Sequence, residues 1–270
     1  MENYMKIEDL FKIKGKVALV TGGSRGIGEM IAAWFLANGV KVYISARKED
    51  QLNQKAEELS EKFGGECIPI HNDLGTLDGV EELVAKYSSF EDSLDFLVNN
   101  AGAAWGEPFE SFSEGGWDKV MDLNVKSMFF LSRNLTNLLK KNASLDDPSR
   151  IINIGSIEGI QVPPFETYSY AASKAAVHHL TRALARKLVS ENITVNAIAP
   201  GPFPSMMLGP AVNHDYSFIE KTNPRKRIGS PEDIAGLVIY LCSRAGAYTV
   251  GDTITCDSGI VNASSSNWTD

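Results

Sequence analysis

Short apolar runs alternate with longer amphipathic stretches along the whole chain. "KVALV" at 16–20 is apolar and β-branched. "IGEMIAAWFLA" at 27–37 repeats its apolar positions at helical spacing and stops at Asn38-Gly39, and "KVYIS" at 41–45 is again short and apolar. The alternation predicts further helices over 49–62, 77–88, 114–141, 168–190 and 231–243, and further strands over 66–70, 94–99, 150–155, 193–199 and 252–257. Strands that are apolar throughout and separated by helices belong to a parallel sheet covered on both faces. No repeat, low-complexity linker or change of composition divides the chain. The expected fold is α/β: a single doubly wound Rossmann domain over 1–270, with a seven-stranded parallel sheet flanked by helices and a loose tail from about 260 to 270.

Composition narrows the function classes. Hydrophobic residues make up 43% and charged residues 22%, as in an ordinary soluble globular protein. The formal net charge of −8 argues against nucleic acid or an anionic membrane as partner. Cys67, Cys242 and Cys256 form no CxxC pair and read as buried thiols in a reducing compartment. The opening "MENYMKIEDLFKIKGK" has no apolar run of signal-peptide kind, and no stretch approaches a membrane span, so a cytoplasmic location is expected.

The candidate chemistry sits at strand ends. "TGGSRGIG" at 21–28 follows the first strand and opens the first long helix. Gly22, Gly26 and Gly28 permit a sharp turn and close approach of a ligand, and the helix N-terminus beyond them suits a pyrophosphate. The spacing is G-x-x-x-G-x-G. The end of the second strand reads "ISARKED": Ala46 stands where an acid would take a ribose 2′-hydroxyl, and Arg47 follows it. Arg25 and Arg47 together suit a 2′-phosphate, which favours NADPH over NADH; Glu49 and Asp50 read as first-turn helix acids.

"TYSYAASKAAVHHL" at 167–180 holds two tyrosines and one lysine. Tyr170 has Lys174 at i+4, on one helix face, whereas Tyr168 has Ala172 there. A phenol is a poor acid at neutral pH, and a neighbouring cation lowers its pKa towards a useful range. The bare pattern also arises by chance. Ser156 lies just past the strand at 150–155, where a hydroxyl polarises a carbonyl or simply caps a turn. Asn99, Asn100, Ala101 and Gly102 end the fourth strand with small residues. Asn124 interrupts a good helix, a position that asparagine holds poorly unless its side chain has a task.

Taken together, "TGGSRGIG", "NDLG" at 72–75, "NNAG" at 99–102, Asn124, Ser156, "YAASK" at 170–174 and "APGPF" at 199–203 resemble the classical short-chain dehydrogenases/reductases, over about residues 14–259. Within that family the chain is similar to the NADPH-dependent 3-ketoacyl reductases of the rhamnolipid-synthesis branch. The resemblance implies a catalytic tetrad of Asn124, Ser156, Tyr170 and Lys174. Tyr170 would protonate the carbonyl oxygen, Ser156 would hold it, Lys174 would bind the nicotinamide ribose and lower the Tyr170 pKa, and Asn124 would hold a relay water. It further implies cofactor contacts by Gly22, Ser24, Arg25, Gly26, Ile27, Gly28, Arg47, Asp73, Leu74, Asn100, Ala101, Gly102, Tyr170, Lys174, Pro200 and Gly201.

Two departures stand out. Ser156 and Tyr170 are 14 residues apart, one more than is usual in the family, and the last strand is followed by "DSG" rather than "DGG". By the same resemblance, residues 202–224, which carry few structural signals, would form a lid; Met206, Met207 and Leu208 line an adaptable apolar pocket or simply anchor a mobile loop. Trp105, Gln161, Phe165, Phe203 and Met207 are candidate substrate residues. His178 and His179 read as packed at a subunit contact, with no carboxylate or cysteine at ligand spacing, so no metal is expected. The family implies a homotetramer, or a dimer, built on the helices near 114–141 and 168–190 and on the last strand. The expected activity is NADPH-dependent reduction of a 3-ketoacyl thioester or related ketone or ketoester. Reduction of small ketones, or alcohol oxidation, is the alternative, and a non-catalytic NADP-binding regulator is a third reading that a whole tetrad disfavours.

Overall fold

The computed structural model describes residues 4–205, 213 and 215–263. Seven strands form one sheet: β1 (Val17–Thr21), β2 (Lys41–Ala46), β3 (Cys67–His71), β4 (Phe96–Asn99), β5 (Ser149–Ile154), β6 (Ile193–Pro200) and β7 (Thr253–Cys256). Their order is β3-β2-β1-β4-β5-β6-β7, and every neighbouring pair is parallel. Pro69, which has no N–H to give a ladder, is accommodated because β3 lies at the sheet edge.

The helices explain why the strands are apolar on both sides. After a short α1 (Ile7–Leu10) come α2 (Gly26–Ala37), α3 (Glu49–Phe63), α4 (Leu77–Phe90), α5 (Glu114–Met121), α6 (Ser127–Lys141), α7 (Tyr168–Leu188), α8 (Ser217–Thr222) and α9 (Pro231–Cys242). One core packs Ala18, Val20, Val42, Ile44, Val98 and Ile152 against α2, α3 and α9. The alternate positions Leu19, Tyr43, Leu97, Ile151 and Val195 face α4, α6 and α7. Period-2 side-chain alternation thus feeds two cores from one set of strands.

Local sequence sets several ends. Thr76 and Ser113 accept hydrogen bonds from Gly79 and Gly116 at the starts of α4 and α5. Gly64 ends α3 in the left-handed conformation at φ 66°. Arg150 of β5 is fully buried and donates to the Leu241 and Ser243 carbonyls at 3.0 Å each, tying the sheet to the C-terminal end of α9.

The predicted helix over 114–141 is broken. A π turn spans Asp122–Lys126, between α5 and α6, and Asn124 sits inside it. The segment 202–224, expected as a lid, contains α8; Met206, Met207 and Leu208, and the tail from 264 on, lie outside the described residues.

Candidate active site

The strand order reverses direction between β1 and β4, and their carboxyl ends open a crevice at that switch point. Thr21, 1% exposed, stitches its two walls: its hydroxyl accepts from Asn100 N and Ala101 N at 3.0 Å each, and its carbonyl accepts from Asn100 Nδ2 at 2.8 Å. Sequence reasoning passed over Thr21, although it opens the glycine turn. Gly22 and Gly26 adopt φ values of 65° and 57°. A Cβ at Gly28 would stand 2.4 Å from both Gly22 O and Asn100 Nδ2, so that glycine serves packing of α2 on the turn. Around Gly26 there is open room, the nearest contact being Ser205 Cβ at 3.6 Å. The α2 N-cap, Arg25, is extended and offers no side-chain cap. An uncapped helix N-terminus beside open backbone fits a pyrophosphate.

Around this cradle Ser24 and Ile27 are half-buried, and Ile27 packs on the core. Arg25 and Arg47 are exposed and form no ion pair among the described residues, so both guanidiniums are available to a phosphate. Arg47 O is bonded by His71 Nε2 at 3.1 Å. Asp73 is exposed at the crevice rim and accepts from Gly75 N. Leu74 is 5% exposed, with its side chain in the core, so only its main chain faces outward. A Cβ on Gly102 would come within 3.2 Å of Asn124 Oδ1. Pro200 ends β6, and Gly201 N bonds Cys256 O at 3.0 Å.

β5 and α7 bring three of the four candidate catalytic residues together. Ser156 follows β5, caps the turn at Ile157–Gly159 by accepting from Glu158 N at 3.2 Å, and is hydrogen-bonded to the Tyr170 hydroxyl. It is therefore both a capping residue and a partner of the phenol. Lys174 is 5% exposed; its Nζ donates to Ile154 O at 2.8 Å and lies 5.5 Å from the Tyr170 ring centroid. Burial pulls the Lys174 pKa down to about 8. The expectation that this lysine lowers the Tyr170 pKa is not met in this arrangement. Burial pushes the phenol up to about 12, the Ser156 bond works against that, and the Glu158 charge adds to it. The ammonium donates to a backbone carbonyl and stands over the phenol ring.

Asn124 spends its whole amide inside the protein. Oδ1 accepts from Ala103 N at 2.8 Å, while Nδ2 donates to Ala103 O and to Ser173 Oγ at 2.9 Å each. Ser173 in turn donates to Tyr170 O at 2.7 Å. The side chain braces the loop after β4 against α7, and neither of its N–H groups is left to hold a relay water.

The candidate substrate residues divide. Gln161 and Phe165 line an open apolar groove of about 460 Å³ together with Trp117, Glu158, Ile160 and Tyr168; Ser156, Tyr170 and Lys174 are not among its lining residues. Burial raises the Glu158 pKa, against a hydrogen bond from Thr167. Trp105 is not in this groove: its ring packs on Gly116 under Lys119, whose Nζ is 4.6 Å from the centroid. Phe203 is not there either. It is 3% exposed, belongs to the core and packs on Gly229. Both are aromatic residues recruited to packing, which their sequence neighbourhood does not reveal. Tyr168 is a rim residue, bonded to Glu166 and stacked edge-on with Phe109 and Phe112. His178, expected at a subunit contact, is 5% exposed within the fold and lies under the Ser156 turn; His179 is exposed beside Arg182. Among the described residues no three His, Cys, Asp or Glu side chains gather as a metal site.

Comparison with known proteins bears on the family and the fold. A family model described as enoyl-(acyl carrier protein) reductase matches residues 22–261. The rhamnolipids biosynthesis 3-oxoacyl-(acyl-carrier-protein) reductase of Pseudomonas aeruginosa is 45% identical over 252 residues, covering 92% of this chain and 97% of that protein. A 3-oxoacyl-(acyl-carrier-protein) reductase of Aquifex aeolicus is 30% identical, covering 92% and 98%. The solved active-site complex of Pseudomonas aeruginosa RhlG with NADP superposes with a TM-score of 0.89 at 43% identity, covering 94% of this chain and 99% of that one.

Proposed function

Because the chain belongs to the short-chain dehydrogenase/reductase family, we propose that it is an NADPH-dependent reductase that converts the keto group of a 3-oxoacyl thioester, or a related ketone or ketoester, into a secondary alcohol. The observation that carries this reading is the meeting of Ser156, Tyr170 and Lys174 at the carboxyl end of β5, beside the uncapped α2 N-terminus.

When bound, NADPH supplies the hydride that goes to the carbonyl carbon. The residues of this chain do the rest. Gly22, Ser24, Gly26 and the first N–H groups of α2 would hold the pyrophosphate, and Arg25 and Arg47 would grip the 2′-phosphate. Asn100, Ala101 and Gly102 with Pro200 and Gly201 would form the walls of its site, and Asp73 and the Leu74 main chain would meet the adenine. Tyr170 gives its phenolic proton to the carbonyl oxygen, while Ser156 orients that oxygen by hydrogen bonding. With NADPH bound, the Lys174 ammonium would hold the nicotinamide ribose, and its charge beside the phenol ring would stabilise the phenolate and return its proton. Asn124 holds the loop after β4 and α7 in register for these steps. The acyl chain lies along the apolar groove of Gln161 and Phe165. By the family resemblance the 202–224 segment serves as the lid, Met207 itself lying outside the described residues, and residues 1–270 form one catalytic domain.

No helix among the described residues is long and apolar enough to cross a membrane, and the three cysteines are unpaired, in keeping with a cytoplasmic enzyme. Exposed Tyr248 and Val250 next to β7 suit burial in a homotetramer. Tyr170→Phe tests the assignment: NADPH binding should persist while turnover falls by at least a hundredfold, within the range ascribed to general acid catalysis. Retained turnover would remove Tyr170 from the mechanism.

A further inference from the structure

We propose that His178 is a positioning residue for Ser156, a buried imidazole on which the turn carrying the active-site hydroxyl is built. The inference rests on the reading of Ser156 given above. His178 lies four residues after Lys174 on α7, hence on the same helix face, and is 5% exposed. Its Nε2 accepts from Ser156 N at 3.4 Å. That bond is long, and the steric fit around the ring is stronger evidence. A Cβ on Gly155 would stand 2.1 Å from His178 Nε2, and one on Gly159 would stand 2.9 Å from His178 Cε1. Gly155 is therefore small where the imidazole occupies the space beneath it, whereas a Cβ on Gly159 would first meet the α7 backbone, Lys174 C at 2.6 Å and Ala175 N at 2.7 Å, and then the imidazole.

The protonation state is set by this seat. A nitrogen that accepts from a backbone N–H carries no proton, so the ring is neutral with its hydrogen on Nδ1. The Gly159 backbone beside the ring favours its charged form, and burial outweighs it. Lys174 and Arg182 are the cations that face it, and both disfavour a charged ring. Ser156 is thereby fixed at its N–H by His178 and at its Oγ by Glu158 N and the Tyr170 hydroxyl. Loss of the imidazole leaves the hydroxyl in place chemically but frees the turn to shift. A displacement of the order of 1 Å at a reacting group costs about a hundredfold in rate.

The test uses His178→Leu, which fills the space without an acceptor, and His178→Gln, whose Oε1 reaches about as far as Nε2 and can accept. His178→Leu should lower kcat by roughly 10- to 100-fold with NADPH affinity, measured by cofactor fluorescence, unchanged. His178→Gln should recover kcat to within about threefold of wild type. In a Ser156→Ala background, His178→Leu should have no further effect on kcat, because there is no hydroxyl left to place. Equal kcat in wild type and the leucine variant, or a full additional loss in the Ser156→Ala background, would overturn the proposal. Amide hydrogen exchange at Ser156 gives a readout that needs no turnover. Protection in wild type and His178→Gln but not in His178→Leu supports the positioning even if thioester reduction is not detected, which would overturn the functional reading alone; equal protection in all three overturns the positioning.

Discussion

Truncating Asn124 to alanine should cost stability and rate together, for a reason visible atom by atom. The side chain is 3% exposed and makes three hydrogen bonds, two of which satisfy both backbone groups of Ala103. Alanine keeps the π turn free of new clashes but leaves the Ala103 N–H and C=O without partners in a partly buried loop. An unsatisfied buried group costs about 1–3 kcal/mol, and with partial access to water the pair amounts to about 2–4 kcal/mol. For a chain of this size each kcal/mol lowers Tm by roughly 2–4 °C, so a fall of roughly 5–15 °C is expected in thermal unfolding followed by circular dichroism. The loop after β4 carries Asn100, Ala101 and Gly102, and the Ser173 link reaches Tyr170, so kcat should fall as well, by up to about a hundredfold. A Tm within about 2 °C of wild type, with unchanged turnover, would show that these bonds brace nothing, and the part given to Asn124 would fall.

Two further outcomes follow from the charges. Arg25→Ala and Arg47→Ala should each raise KM for NADPH by roughly 10- to 100-fold, the value of a charge-assisted hydrogen bond, and leave NADH kinetics unchanged; equal effects on both cofactors in initial-rate assays would contradict a 2′-phosphate site. Burial, reinforced by Lys174 and Arg182, depresses the His178 pKa from 6.5 to about 4. The unfolded chain therefore takes up that proton first, and stability drains away as pH falls from about 6.5 to about 4, by about 2 kcal/mol at pH 4.5. His178→Gln lacks that proton site, so urea unfolding should show it gaining on wild type by this amount between pH 7 and 4.5, and a constant difference would contradict a neutral buried imidazole.

The frame of the molecule was legible because its strands are continuous apolar runs and its helices are amphipathic, a pattern that only a sheet covered on both faces satisfies. Asn124 was legible as an anomaly: a poor helix former in a good helix. The π turn that houses it was not, because a one-residue change of helical register leaves no periodic trace over five residues. Trp105 and Phe203 stand in loops beside the site, yet their rings turn to Gly116 and Gly229, contacts that only the tertiary fold creates. His178 had a sequence signal that was not used: it follows Lys174 at i+4, and Gly155 and Gly159 flank the serine it supports. The Tyr170 pKa could not be read from the i+4 spacing either, since the spacing fixes the helix face but not whether Lys174 Nζ points to the hydroxyl or to Ile154 O.

The central claim is tested most directly by following the loss of NADPH absorbance with acetoacetyl-CoA, with longer 3-oxoacyl thioesters and with simple ketones and ketoesters, each repeated with NADH. Faster turnover of the longer thioesters with NADPH, and much slower turnover with NADH, is the predicted result. No oxidation of NADPH with any carbonyl substrate, by folded protein that binds the cofactor, would contradict it.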